Sequence, residues 1–187
     1  MQDPDFISLF VLPLENAGIR YMITGSVASS IYGEPRNTLD IDLVVLPDPG
    51  QVQQFHNLFN EEEYYIPPTE VIAIESRREV NGHFNIIHHQ TGLKADIYLS
   101  RNHPCLVWAL AHTRRTHTAC CEINIAPPEY VILHKLGFFQ ESRHQRHLRD
   151  IAGIIEQQDL DRSYLKQQVE SLNLTSEWQA ALALVSS

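Results

Sequence analysis

Residues 21–46, YMITGSVASSIYGEPRNTLDIDLVVL, constrain the fold more than any other part of the chain. An apolar segment at 21–24 runs directly into Gly25 and Ser26, and residues 27–32 have the composition of a short helix. A polar turn then leads into a second apolar segment, 39–46, which contains Asp40 and Asp42. The pattern predicts a strand, a short helix and a second strand.

Asp40 and Asp42 project from the same face of the second strand, because side chains alternate along a strand; they lie about 6.6 Å apart along the backbone. Two carboxylates on an otherwise apolar strand repel each other and lose hydration, which is costly unless a cation neutralises them. Mg²⁺ is the simplest such cation, since it takes carboxylate and phosphate oxygens. Gly25 permits close approach of the backbone to a phosphate, and Ser26 with the following amides can donate to an anion.

Gly25-Ser26, thirteen intervening residues and then Asp-Ile-Asp resemble the signature of the nucleotidyltransferase superfamily, whose fold is shared with DNA polymerase beta. This resemblance implies an α+β fold in which helices flank a mixed β-sheet. It also implies a third acidic residue on a later strand, and Asp96 in the segment KADIY is the candidate. The alternative is that Asp40 and Asp42 are solubility charges on an edge strand. The three motifs in this order argue against that alternative.

The resemblance implies a role for each aspartate. Asp40 and Asp42 are expected to bind Mg²⁺ or Mn²⁺ that bridges the phosphates of an NTP substrate, and Asp96 to complete a second metal site and accept a proton. The product is then a nucleotidylated acceptor and pyrophosphate. Lys94 precedes Asp96 by two residues and shares its face; it is either a charge partner of the carboxylates, which we favour, or a phosphate contact.

Other segments predict helices near residues 4–17, with Pro13 kinking or dividing the first helix, and at 51–60 and 104–111. Residues 83–87 and 93–99 predict an antiparallel hairpin that brings Asp96 beside the strand of Asp40 and Asp42. Residues 70–76 are either a strand or the start of a helix, and residues 113–126 form one strand or a hairpin arm. Helical patterns dominate from residue 127 onward. We therefore predict a catalytic core at 1–126 and a C-terminal helical cap at 127–187.

The cap extends the resemblance. Residues 128–136, PEYVILHKL, and 149–151, RDI, are similar to a pattern of the AbiEii-like branch, which includes bacterial toxin nucleotidyltransferases. With the N-terminal motifs, the resemblance covers most of residues 5–155. It implies that Lys135 is a nucleotide-phosphate ligand, with a snorkelling surface lysine as the alternative. Asp150 is predicted to be a solvated charge, because it falls on the side of its helix away from Leu148 and Ile155; the alternative, if that face covers the active site, is a catalytic residue.

The acceptor is not encoded in a recognisable motif. The toxin branch implies an RNA, such as a tRNA, or a protein acceptor, with a cognate antitoxin as a further partner. The alternatives are a small hydroxylated molecule, as in antibiotic-modifying relatives, and a non-catalytic NTP-binding or partner-binding module. Arg143, Arg146 and Arg149 form the densest basic run, which predicts either a grip on a triphosphate or RNA end or a solvated helix face.

Composition limits the partners further. A net charge of −9 and a pI near 5.5 argue against broad electrostatic adhesion to nucleic acid. No apolar run approaches the roughly 20 residues that span a bilayer, and the first five residues are acidic where a secretory signal is basic. Cys105, Cys120 and Cys121 have no metal-ligand spacing, and we expect them to be buried and reduced. These features predict a cytoplasmic protein with no membrane partner.

Overall fold

The computed structural model describes residues 5–47, 49–78, 82–99, 104–118 and 121–185. Within these ranges one sheet contains seven strands in the order β3-β4-β5-β2-β1-β7-β6. The strands are β1 (Tyr21–Thr24), β2 (Asp40–Val45), β3 (Tyr64–Tyr65), β4 (His83–His88), β5 (Lys94–Tyr98), β6 (Arg114–His117) and β7 (Glu122–Ile125). β2 pairs with β5 and β1 pairs with β7 in parallel, and the other neighbours are antiparallel. The sheet is therefore mixed, as predicted.

Helices flank the sheet and form the C-terminal part of the chain. They are α1 (Leu12–Asn16), α2 (Gly25–Tyr32), α3 (Val52–Asn57), α4 (Thr69–Ser76), α5 (Pro104–Ala111), α6 (Pro128–Ser142), α7 (Gln145–Gln157), α8 (Arg162–Ser171) and α9 (Thr175–Val185). A π-helical segment, Ile7–Val11, precedes α1, and a 3₁₀ turn, Pro49–Gln51, precedes α3. No helix in the described part of the chain has the length and apolarity needed to cross a membrane.

Most of the predicted elements are present with shifted ends. The first helix changes from π to α geometry between Val11 and Leu12, one residue before Pro13, and the backbone stays helical there; the kink or division predicted at Pro13 stays a prediction. The ambiguous segment at 70–76 is helical, and residues 113–126 contain both arms of a hairpin. Cys105 and Cys121 are in no disulfide, and Cys121 is only half-buried; Cys120 lies outside the described residues.

Strand β2 has two chemically different faces. Ile41, Leu43 and Val45 are fully buried in the core. Asp40 and Asp42 alternate with them and face the other side, where they line a cavity. The neighbouring strands β1 and β5 are short and mostly buried, so β2 holds its position through backbone pairing on both edges. The predicted placement of the two carboxylates on one face is confirmed.

Helix α2 joins the sheet to the C-terminal helices. The Tyr32 hydroxyl donates to the Ala126 carbonyl at 2.8 Å, and the Gln158 side-chain amide donates to the Tyr32 carbonyl at 2.9 Å. At the end of α2 the backbone lies against α7, because a Cβ on Gly33 would be 2.9 Å from the carbonyl carbon of Gly153. Helices α6 and α7 both contact α2. The division of the chain at residue 126 stays a prediction.

Candidate active site

The three predicted carboxylates come together on neighbouring strands. Asp42 is the backbone pairing partner of Asp96 on β5 and of Thr24 at the end of β1. Asp40, Asp42 and Asp96 all line one cavity of about 600 Å³. The predicted hairpin therefore carries Asp96 to the position beside β2 that the sequence indicated. The metal-binding and catalytic roles of these residues stay predictions.

The Gly25-Ser26 segment lies directly against Asp42. Gly25 has a φ of 61°, in the left-handed region where glycine is favoured. A Cβ at this position would overlap the Asp42 carboxylate. The backbone N–H of Ser26 donates a hydrogen bond to the same carboxylate. The two halves of the sequence motif thus form one contact, and no side chain larger than hydrogen fits at residue 25 while Asp42 stays in place.

Asp42 is the least well neutralised of the three carboxylates. Burial raises its pKa, and the negative charges of Asp40 and Asp96 raise it further. The Tyr98 hydroxyl donates to Asp42 Oδ1 at 3.2 Å, and Thr38 Oγ1 donates to Asp40 Oδ1 at 2.6 Å. These neutral donors do not offset the mutual repulsion of the carboxylates. The site therefore has an excess of negative charge that a cation would balance.

Asp96 has one lysine and one histidine as partners within the protein. Burial acts to raise its pKa, but hydrogen bonds from His83 and Lys94 hold that pKa below its usual range. Lys94 Nζ lies 2.7 Å from Asp96 Oδ2 and 4.0 Å from Asp40 Oδ2. His83 Nε2 lies 3.4 Å from Asp96 Oδ1. Of the two roles weighed for Lys94, the structure shows the charge partner.

The donor set fits a divalent metal in its chemistry. Asp40, Asp42 and Asp96 supply carboxylate oxygens from one face of two adjacent strands, and hard cations such as Mg²⁺ prefer oxygen ligands. Among the residues that the structure describes, no group of three or more His, Cys, Asp or Glu side chains is already arranged to hold an ion. Lys94 contacts two of the carboxylates, so a metal ion and the Lys94 ammonium would compete for the same oxygens.

A second charged cluster adjoins Ser26. Lys135 Nζ lies 2.6 Å from Asp150 Oδ2, and Arg36 Nε lies 3.3 Å from Asp150 Oδ1. Arg36 Nη2 also donates to the Ser26 hydroxyl. Lys135 lines the cavity although its side chain is only 4% exposed, so the surface-lysine alternative is wrong. Its predicted role as a phosphate ligand is untested.

The predicted solvation of Asp150 is wrong, because its side chain is only 10% exposed. Helix α7 packs against α2, α6 and α9, so residues on several sides of this helix are covered. The apolar stripe through Leu148 and Ile155 identified only one of those sides. Burial acts to raise the pKa of Asp150, but Lys135 and Arg36 hold it below its usual range. Asp150 is therefore the counter-ion of Lys135.

The basic run in α6 and α7 divides between different surroundings. Arg143 ends α6 and pairs with Glu177 of α9 at 3.2 Å. Arg146 and the neighbouring histidines line the cavity, whereas Arg149 does not; both arginines are exposed. The three arginines therefore form neither one phosphate-binding group nor one solvated helix face, because only Arg146 of the three borders the candidate site.

Sequence reasoning missed Arg36, Thr38 and His83. Arg36 is the only lysine or arginine between Gly25-Ser26 and Asp40 in the sequence. Its place between the two halves of the motif could have identified it as a residue of the site. Thr38 precedes Asp40 by two residues and could have been recognised as its donor by the alternation of strand side chains. His83 carries no such signal, because its contact with Asp96 depends on the register of β4 against β5.

We predict that Asp42→Asn raises the melting temperature of the metal-free protein at pH 7. Because the pKa of Asp42 is raised in the folded state, folding favours the protonated form, and the stability contribution of this group falls as the pH rises above the ordinary aspartate pKa of about 3.9. Asparagine does not ionise and so avoids this loss of stability. The increase in melting temperature over the wild type should therefore become smaller as the pH falls toward 4. Circular dichroism melts from pH 4 to 8 in a chelator measure it.

The matched control for Asp42→Asn is Asp159→Asn, which changes an exposed aspartate. This control should leave the melting temperature nearly unchanged across the same pH range. A clear drop in melting temperature for Asp42→Asn at pH 7 would contradict the prediction and would identify a stabilising partner for the carboxylate.

We predict that Asp150→Ala lowers the free energy of unfolding by about 3 kcal/mol, because it leaves the buried Lys135 ammonium without its nearest carboxylate. Burial already lowers the pKa of Lys135, and Asp150 is the charge that opposes this effect. Urea unfolding at pH 7 measures the loss. Asp159→Ala, at an exposed position, is the control. A loss below about 1 kcal/mol would indicate a pair of surface strength instead.

Comparison with solved structures identifies the fold. No family model and no curated protein matches the sequence. The crystal structure of an antigenic nucleotidyltransferase-like protein from Paracoccidioides brasiliensis aligns with a TM-score of 0.51 and 19% identity, over 92% of this chain and 90% of the other. The solution structure of the antibiotic-resistance factor ANT(2'')-Ia aligns with a TM-score of 0.51 and 12% identity, over 96% and 92%. The chain has a nucleotidyltransferase-like fold.

Proposed function

We propose that this protein is a metal-dependent nucleotidyltransferase that moves an NMP from an NTP to a hydroxyl group of an acceptor. The observation that carries the proposal is the contact of Asp42 with Gly25 and Ser26 beside Asp40 and Asp96 in one cavity. A segment suited to phosphate and a group of carboxylates suited to a cation are thereby adjacent. The nucleotidyltransferase-like fold supports the proposal.

Asp40, Asp42 and Asp96 are the residues that would hold Mg²⁺ or Mn²⁺. A divalent cation supplies charge neutralisation for phosphate oxygens when it is bound. Helix α2 starts at Gly25 and Ser26, beside the Asp42 carboxylate, and a helix start favours anions. Lys135 and Arg36 bring positive charge to the same side of the cavity, where they stabilise the triphosphate.

Asp96 acts on the acceptor. Its lowered pKa keeps it ionised at physiological pH, so it can accept a hydrogen bond from the attacking hydroxyl and then take its proton. His83 contacts Asp96 Oδ1 and is half exposed to solvent, so it holds the carboxylate in orientation from the side of β4. The acceptor oxygen forms the new bond to the α-phosphorus, and pyrophosphate leaves.

An RNA, such as a tRNA, or a protein is the acceptor that we favour, as in the toxin branch that the sequence resembles, with a cognate antitoxin as partner. Arg146 and His144 on the rim of the cavity support an RNA end, because each can contact a phosphate. All three aspartates are present, which argues against a non-catalytic binding module.

A small hydroxylated molecule is the second candidate acceptor. The likeness in fold to an antibiotic-resistance factor favours it, as does the net charge of −9, which is unfavourable for extended contact with nucleic acid. A small acceptor needs the cavity alone and no rim of positive charge. The two candidates therefore differ in their dependence on Arg146.

We predict that NTP binding requires a divalent metal. Isothermal titration with ATP, CTP, GTP and UTP should give heat of binding in Mg²⁺ or Mn²⁺ and none in a chelator, because the carboxylates repel free triphosphate. Asp42→Asn should weaken the metal-dependent binding and abolish transfer while the fold is retained. Metal-independent affinity, or absence of binding by a folded protein, would refute the proposed function.

We predict that labelled NTP and total bacterial RNA yield a defined labelled RNA, and that Arg146→Ala weakens this labelling while NTP binding survives. Loss of one phosphate contact should flatten the slope of log affinity against log salt by about 0.7 to 0.9. Arg149→Ala, an exposed arginine seven residues beyond Ser142, is the matched control and should label normally. Labelling of small hydroxylated compounds alone would favour the second candidate.

A further inference from the structure

Four aromatic side chains form a row along the cap side of the cavity. We call Tyr130, His134 and Phe138 of α6, with His147 of α7, the aromatic row. The three residues of α6 are four positions apart and so share one helix face. The ring centroids of Tyr130 and His134 are 4.2 Å apart, those of His134 and Phe138 are 6.4 Å apart, and those of Phe138 and His147 are 5.9 Å apart. All four residues line the cavity that contains the aspartates.

The row changes from buried to accessible along its length. Tyr130 is 2% exposed, whereas Phe138 is 40% exposed, and the neighbouring Phe139 is buried in the core at 6%. Core packing therefore accounts for Phe139 but leaves much of the Phe138 ring uncovered beside the cavity. Leu39, which directly precedes β2, lines the same cavity and is 82% exposed. Apolar surface is thus available in the cavity that also contains the carboxylates and the Lys135, Arg36 and Asp150 cluster.

The His147 ring is suited to the same environment. Burial together with the positive charges of Lys135 and Arg146 lowers its pKa to about 4, so the ring is neutral at physiological pH. It lies at 30° to the Phe138 ring. A neutral, flat surface of this kind stacks against planar heteroaromatic rings, and every nucleobase has such a face.

The topology distinguishes the donor nucleotide from the acceptor. Lys135 directly follows His134 on α6, and α6 packs on α2, which begins with Gly25 and Ser26. Asp96 lies on β5, on the other side of β2 from β1. A nucleotide whose phosphates contact Gly25-Ser26 and Lys135 therefore has the aromatic row on its own side. An acceptor hydroxyl at Asp96 would lie on the β5 side of β2 instead.

We propose that the aromatic row is the base-binding surface for the donor NTP, with Phe138 as its accessible stacking face. The inference rests on the proposed function, because it assigns the base of the substrate that the carboxylates and Gly25-Ser26 would bind by its phosphates. Phe138 lies outside the charged groups of the site. It would determine how much more tightly the protein binds a nucleotide than a triphosphate without a base.

The test compares a nucleotide with inorganic tripolyphosphate, which has the phosphates and no base. Isothermal titration in Mg²⁺ uses α,β-methylene ATP, in which the bond to be broken is blocked. Phe138→Ala should weaken binding of this analogue about tenfold, a typical effect of losing one stacking partner, and should leave the affinity for tripolyphosphate unchanged. Phe138→Tyr should restore most of the affinity, because it keeps the ring face.

Leu184→Ala is the matched control for the aromatic-row variants. Leu184 is also 40% exposed, but it lies on α9 and does not border the cavity. This variant should bind both ligands like the wild type. A circular dichroism melt of Phe138→Ala should show one cooperative transition above the assay temperature, which confirms that the variant is folded.

The outcomes distinguish failure of the base-binding role of the aromatic row from failure of the proposed nucleotidyltransferase function. Wild-type binding of both ligands with an unchanged analogue affinity in Phe138→Ala would overturn the base-binding surface alone. Equal weakening for tripolyphosphate and the analogue would also overturn it, because the effect would then not concern the base. Weakened RNA labelling with unchanged analogue affinity would assign the row to the acceptor instead. Binding of neither ligand by folded wild-type protein would refute the proposed function together with this inference.

Discussion

The contact between the Asp42 carboxylate and the backbone at Gly25 is the constraint on which the candidate site depends. The carboxylate occupies the space that any side chain at residue 25 would need, and the Ser26 N–H holds it there. This contact sets the distance between the start of α2 and strand β2. The positions of Asp40 and Asp96 then follow from strand alternation and from the β2–β5 register.

Local rules were sufficient to predict the parts of the site that lie on strands. The alternation of side chains placed Asp40 and Asp42 on one face, and the spacing of a hairpin placed Asp96 beside them. These predictions depend only on short stretches and on one pairing. The fold class followed from the same motifs, and the nucleotidyltransferase-like neighbours confirm it.

The charged cluster around Asp150 could not be predicted in this way. Its three members come from the loop before β2, from α6 and from α7, and the helix pattern alone does not show which polar face another helix will cover. The consequence was a wrong prediction for Asp150. The aromatic row has the same origin, since the spacing of Tyr130, His134 and Phe138 is visible in the sequence but their position beside a cavity depends on how α6 packs on α2.

The two charged clusters give the cavity a polarity along its length. On the α6 side, two cations, Lys135 and Arg36, face one carboxylate, Asp150; on the β5 side, three carboxylates face Lys94 and His83. Low-dielectric walls focus the resulting field across the space between them. A bound species that is negative at one end and cationic at the other therefore has one preferred direction in this field. The field would align this species before it forms any hydrogen bond with the cavity, so the fold can orient a ligand electrostatically while the ligand approaches.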